Sequence, residues 1–252
     1  MGRGGDALRT FWLLALLASA SSAFAQEPPE TKRRIRILVN GLYNPTGIDF
    51  SETSTFPSFL EEGTSSRGFE GGEGFVFEAG AIVGIREGLG VMGTFEIFQS
   101  DIDGVFEESF PHPLYFDRPR TVMGEIRDLE YSEQAIHVDA VYTIERGKLT
   151  FDLFGGGSFF FTSTEILDDV RISSEYPFDE ATVASTSTTT LDDNPIGFNA
   201  GGALTWRLTE VVGVAFQARY SHAGIEIARA EGDSMELDAG GFRVGGGIRL
   251  SF

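Results

Sequence analysis

The chain has 252 residues, of which 38 are acidic, 19 basic, 32 glycine, 23 phenylalanine and none cysteine, and its formal charge is −19. The acid excess excludes a nucleic-acid binder, because no basic cluster could neutralise phosphates. The lack of cysteine excludes a disulfide scaffold, a thiol nucleophile and any thiolate metal centre. At 41% hydrophobic the chain is not a disordered acidic tail, so apolar and acidic residues must be partitioned within it.

Residues 1–25 read as a cleaved export signal. Arg3 and Arg9 start it, Phe11 to Ala18 form a short apolar run, and Ala23-Phe24-Ala25 supplies a small-residue cleavage site ahead of Gln26. The run is too short for a bilayer-spanning helix of about 20 residues, and no cysteine follows for a lipid anchor. Residues 26–32 form a short periplasmic leader.

From 33 to 252 the hydrophobic period is two. Ile35, Ile37 and Val39 open it. Phe75 to Ile85 and Leu89 to Ile97 follow as an adjacent pair, then Ile136 to Tyr142 and Leu149 to Phe161 as a second pair. Ile196 to Leu208 and Val212 to Tyr220 form a third, and Phe242 to Phe252 closes the chain. In each of these eight segments one parity is nearly free of charge and the other holds the charges, which marks strands with two unlike faces.

Such strands fit either a soluble sandwich or a barrel with its apolar face toward lipid. Three features favour the barrel. Strand lengths suit tilted crossings of about 9–11 residues. Aromatics stand near the ends of the apolar faces, at Tyr43, Phe75, Tyr142, Phe161, Trp206, Tyr220 and Phe252, as interfacial girdles require. Connections alternate between tight turns near 87–88, 145–147 and 209–211 and long loops over 44–73, 100–133, 163–194 and 223–239. The expected fold is therefore all-β: an eight-stranded antiparallel up-and-down transmembrane β-barrel with four long extracellular loops and three short periplasmic turns.

With the terminal Arg249-Leu250-Ser251-Phe252, this pattern resembles the OmpA-like outer-membrane β-barrel family over residues 33–252. Phe242, Val244, Ile248, Leu250 and Phe252 resemble that family's assembly signal. The resemblance implies recognition by the barrel-assembly machinery, escort by periplasmic chaperones, and contact with outer-membrane lipids and lipopolysaccharide. No peptidoglycan-binding domain follows Phe252, so no cell-wall tether is implied.

The four long loops hold 28 acids and 6 bases, a net −22, whereas residues 26–252 hold 37 acids and 17 bases, a net −20. The negative charge thus belongs to the extracellular side. Within the barrel, parity turns Glu78, Glu96 and Asp139 inward from one wall and Arg219 and Arg243 inward from the other. An eight-stranded lumen is narrow enough for these to meet, which predicts a buried ion-pair network. The alternative is separately hydrated charges, with room for water left by the inward glycines, among them Gly80, Gly84, Gly156, Gly201, Gly213, Gly245 and Gly247.

Three histidines are present. His112 reads as surface, His137 as a satisfied interior residue, and His222 as outward-facing near the rim. Arg219 to Ile225 faintly resembles the His-x-Ser strand of lipid A deacylase barrels, but Gly224 stands where serine is needed and Ser221 has the wrong parity to serve His222. Loop carboxylates such as Asp101, Asp103, Asp168, Asp169, Asp192 and Asp193 suit weak divalent screening more than a defined site. Gly71-Gly72-Glu73-Gly74 and Gly155-Gly156-Gly157 lack the helix a phosphate loop needs, and Ser185 to Thr190 reads as a polar loop. The expectation is a monomeric, non-enzymatic, cofactor-free barrel of a diderm bacterium that supports the envelope and presents acidic loops, with a narrow solute pore as the alternative.

Overall fold

The structure is a computed structural model that describes residues 35–228 and 234–252. The export signal and the leader lie outside the described residues. Every regular element among those described is a strand, and all pairings are antiparallel.

The strands are β1 (Ile35–Asn44), β2 (Ile48–Ser58), β3 (Glu61–Gly71), β4 (Gly74–Arg86), β5 (Leu89–Phe110), β6 (Arg120–Arg146), β7 (Leu149–Ser173), β8 (Thr182–Asp193), β9 (Ile196–Arg207), β10 (Val212–Ala228) and β11 (Ser234–Ser251). Ladders join β1 to β4, β4 to β5, β5 to β6, β6 to β7, β7 to β9, β9 to β10 and β10 to β11, and β11 pairs back onto β1. The strands therefore form a ring. The last residue joins it: the Phe252 N–H donates to the Ile35 carbonyl at 2.9 Å.

Alternation sorts the side chains as the sequence pattern requires. In β1, Leu38, Asn40, Leu42 and Asn44 are buried while Ile37, Val39 and Tyr43 are exposed. The same holds around the ring, so Phe77, Val91, Val138, Leu153, Phe198, Phe216 and Ile248 form one outward apolar belt. A monomeric soluble domain rarely exposes so large an apolar surface. The aromatics cluster toward the two ends of this belt. Tyr43 and Phe75 are directly paired at one end, and Tyr142 and Trp206 stand near the tight turns at the other. Those turns lie at Glu87-Gly88, Gly147-Lys148 and 208–211. Gly88 and Gly147 take positive φ (72° and 60°), which glycine adopts without the Cβ clash.

At the opposite end the structure differs from the expected loops. β5, β6 and β7 continue far past the ring, β10 and β11 pair up to Ala228 and Ser234, and β2 and β3 make a separate hairpin docked on the upper half of β5. Residues 185–190, expected as a loop, lie in β8, which pairs with the upper half of β7. The long connections are thus a β-sheet crown. It has its own apolar interior, with Phe69, Phe98, Ile102, Phe106, Leu129 and Leu167 all buried, and that interior makes the extended strands stable in water. Pro57 lies in β2, which has a ladder on one side only, where a missing N–H is tolerated.

The β2–β3 turn has an unusual composition. Its two central residues, Phe59 (φ 49°) and Leu60 (φ 76°), are both left-handed, as a type I′ turn demands, yet neither is glycine or asparagine. The replacement Phe59→Asn with Leu60→Gly should raise stability by about 1–2 kcal/mol, since it relieves two strained conformations and Leu60, 95% exposed, gives up little packing. Slower amide exchange in the β2–β3 hairpin would check this.

Candidate functional site

The ring interior is where the charges meet. Arg219 on β10 and Arg243 on β11 point inward and are completely buried, an arrangement that persists only when the cations are paired. The Arg219 guanidinium lies 3.1 Å from Glu78 on β4, 3.5 Å from Glu96 on β5 and 3.6 Å from Asp139 on β6. It also donates to Thr94 Oγ1 at 2.9 Å and lies 5.0 Å from the Phe154 ring centroid. Arg243 holds Glu96 with one nitrogen and Glu133 with the other. The five charged residues singled out from parity are therefore in one connected cluster, with carboxylates from β4, β5 and β6 facing guanidiniums from β10 and β11.

The cluster is larger than parity indicated. Glu78 also accepts from the Asn40 and Gln217 amides, and Arg249 donates to Asn40 Oδ1 at 2.5 Å and Gln217 Oε1 at 2.7 Å. Asp139 accepts from Asn199 at 2.8 Å, and the His137 Nδ1 is 2.7 Å from Ser158 Oγ. Nearer the tight turns, Arg36 grips both oxygens of Asp152 at 2.8 Å and bonds Thr143. On the crown side, Glu133 accepts from Tyr131 Oη at 2.9 Å and the Gly240 N–H at 3.0 Å. The sequence pattern puts Glu133 in a loop, yet it lies in β6 and shares the inward parity of His137 and Asp139, just ahead of the alternating segment.

Several of the inward glycines stand where a side chain would meet the neighbouring strand. A Cβ on Gly156 would collide with the Val138 carbonyl and Asp139, one on Gly245 with the Gly41 carbonyl, and one on Gly247 with the Val39 carbonyl and Asn40. Glycine at these positions lets neighbouring strands and polar side chains close up. Two apolar layers flank the network: Leu38, Ile82, Met92, Val141 and Phe154 toward the turns, and the crown interior on the other side.

Of the other residues considered, His112 is buried rather than at the surface, because its Nδ1 accepts two backbone N–H groups within its own loop. His222 lies on the outer face, its ring 5.8 Å from Phe198, while Ser221 is buried on the inner face. Among the described residues no three His, Asp or Glu side chains gather as a metal ion would require. Phe242, Val244, Ile248 and Leu250 lie on β11, where Val244, Ile248 and Leu250 pair with Tyr43, Val39 and Ile37 of β1.

No protein-family model matches the chain, and neither does any curated protein. Solved structures do. The outer membrane protein OprG from Pseudomonas aeruginosa is 9% identical, with a TM-score of 0.51 over 87% of this chain and 96% of its own. Neisserial surface protein A is 11% identical, with a TM-score of 0.45 over 86% and 97%. The chain has the fold of an outer-membrane β-barrel. One expectation is corrected by these comparisons. The similar structures include the outer membrane protease OmpT from Escherichia coli, 8% identical with a TM-score of 0.38 over 90% and 99%. The expectation of a non-enzymatic chain, which was drawn from the surroundings of His112, His137 and His222, is withdrawn.

Proposed function

We propose that the chain is an integral outer-membrane protein, a closed eight-stranded up-and-down barrel resembling the OmpA-like family, whose sealed interior supports a rigid acidic crown displayed outside the cell. Residues 1–25 direct export and are removed, residues 26–32 lie in the periplasm, and the tight turns face the same compartment. The outward apolar belt contacts lipid and lipopolysaccharide, and Phe242, Val244, Ile248, Leu250 and Phe252 present the assembly signal to the barrel-assembly machinery after chaperone escort. The protein acts as a monomer with a structural and surface-interaction role.

The observation that carries this reading is the Arg219 guanidinium reaching Glu78, Glu96 and Asp139 on three different strands. A side chain paired across the interior, between two apolar layers, leaves no continuous aqueous path for ions. Purified protein in planar bilayers is expected to give no steady single-channel current. A sustained, ohmic conductance would establish the narrow solute pore instead. Surface labelling of intact cells at a cysteine placed in the crown, absent for one placed at Lys148, tests the orientation.

A further inference from the structure

The tips of two neighbouring hairpins form a half-open pocket of mixed polarity at the outer edge of the crown. Phe59 and Leu60 from the β2–β3 turn and residues 112–116 from the β5–β6 connection line a space of about 390 Å³. Phe59, Leu60 and Phe116 are 61%, 95% and 68% exposed, far from the apolar belt of the ring. The pocket wall is pre-arranged. His112 is buried beneath it, accepts the N–H groups of Leu114 and Tyr115 at 3.1 and 3.2 Å, and has the Tyr115 ring tilted against it at 5.0 Å. The Asp117 N–H donates to Glu61 Oε1 at 2.9 Å and so clips the two tips together.

The rim is acidic. Glu61 and Glu62 follow the turn directly, Asp117 closes the loop, and Asp179 reaches in from the β7–β8 connection to 3.7 Å from His112. Two bases lie beside them: Arg118, 3.8 Å from Asp179 and 5.5 Å from the Tyr115 ring centroid, and buried Arg120, which donates to the Pro111 carbonyl at 3.2 Å. A pocket with Phe59, Leu60, Leu114 and Phe116 in its walls and carboxylates beside it is complementary to a ligand that combines an apolar side chain with flanking cations. A second copy of this chain would bring the same carboxylates against themselves, and the net negative charge of an anionic lipid surface would repel them.

We propose that this tip binds a cationic amphipathic peptide: an aromatic or aliphatic side chain enters the pocket while lysines or arginines meet Glu61, Glu62, Asp117 and Asp179. The proposal deepens the surface-interaction reading by naming the partner's chemistry, and it rests on the crown being displayed outside the cell.

The test uses the purified full-length mature protein in phosphatidylcholine nanodiscs and a fluorescent Leu/Lys amphipathic peptide, with empty nanodiscs as background. The wild type should bind it more tightly than a scrambled peptide of equal composition, and binding should weaken as salt rises. Phe59→Asn with Leu60→Gly, which suits the turn better than the native pair, should weaken binding by about tenfold, and Phe116→Ser should weaken it similarly. Glu62→Gln with Asp179→Asn should reduce the salt dependence. Equal binding by the turn variant, equal binding of the scrambled peptide, or salt-independent binding would overturn the proposal, as would self-association or attachment to phosphatidylcholine vesicles through Phe59 and Leu60. Binding is measured on purified protein whatever its orientation in the cell, so its failure is distinguishable from a failed surface-labelling result.

Discussion

Arg219→Met should lower the unfolding free energy by about 3–5 kcal/mol, read by urea titration of the protein in lipid bilayers. The substitution keeps most of the side chain's volume and removes only the cation. Glu78, Glu96 and Asp139, each essentially inaccessible, would then face one another without it. The penalty comes from carboxylates left buried and unpaired, so it should shrink when Glu78→Gln is added to Arg219→Met, and a double-mutant cycle would measure that coupling. A loss below 1 kcal/mol would mean that the interior charges are individually hydrated and that no sealed network exists.

The second large effect is expected on the outer face of the ring, at Ala140 of β6. Ala140 is exposed, adjoins buried Asp139 in sequence, and pairs with Val91 and Gly155 in the middle of the apolar belt. Ala140→Arg should destabilise the protein in a bilayer by about 2–4 kcal/mol if the belt faces hydrocarbon. At an exposed position of a soluble sheet the same change would stay within about 0.5 kcal/mol. One unfolding titration therefore separates the two environments for the belt.

These two predictions show which parts of the molecule were legible in the sequence. A strand with unlike faces writes its inside and outside into alternate positions, so Glu78, Glu96, Asp139, Arg219 and Arg243 could be assigned to the interior one strand at a time. Parity gives a face but not a height. Asn40, Gln217 and Arg249 have inward parity too, yet the bonds of the two amides to Glu78, and of Arg249 to the two amides, depend on the stagger of ladders between strands distant in sequence. Glu133 escapes for another reason: it lies on β6 just before the alternating segment that opens at Ile136.

The crown was read as loops for a physical reason. β8 is exposed on both faces along most of its length, so no alternation of hydrophobicity marks it, and only its run of Ser, Thr and Val hints at strand. In β5 the register shifts between Ile102 and Gly104, and in β6 Asp128 adopts a positive φ of 59°, so a period of two counted through either position loses its phase. The tip pocket was invisible for another reason: Phe59 and Leu60 occupy a turn type that sequence associates with Asn-Gly, and His112, flanked by prolines, looks like surface until its two backbone partners are seen.

The ladder from ring into crown has a consequence for reach. β5 and β6 pair from Leu89 with Tyr142 up to Phe110 with Arg120, the register shifting once, between Ile102 and Gly104. The stretch from Asp101 to Phe110 adds ten residues beyond the belt, and at about 3.3 Å per residue and a tilt near 40° this lifts the tip roughly 25 Å. A flexible loop of equal length would sample many heights. A paired ribbon sets one, and so holds Phe59, Leu60 and Phe116 well clear of the apolar belt.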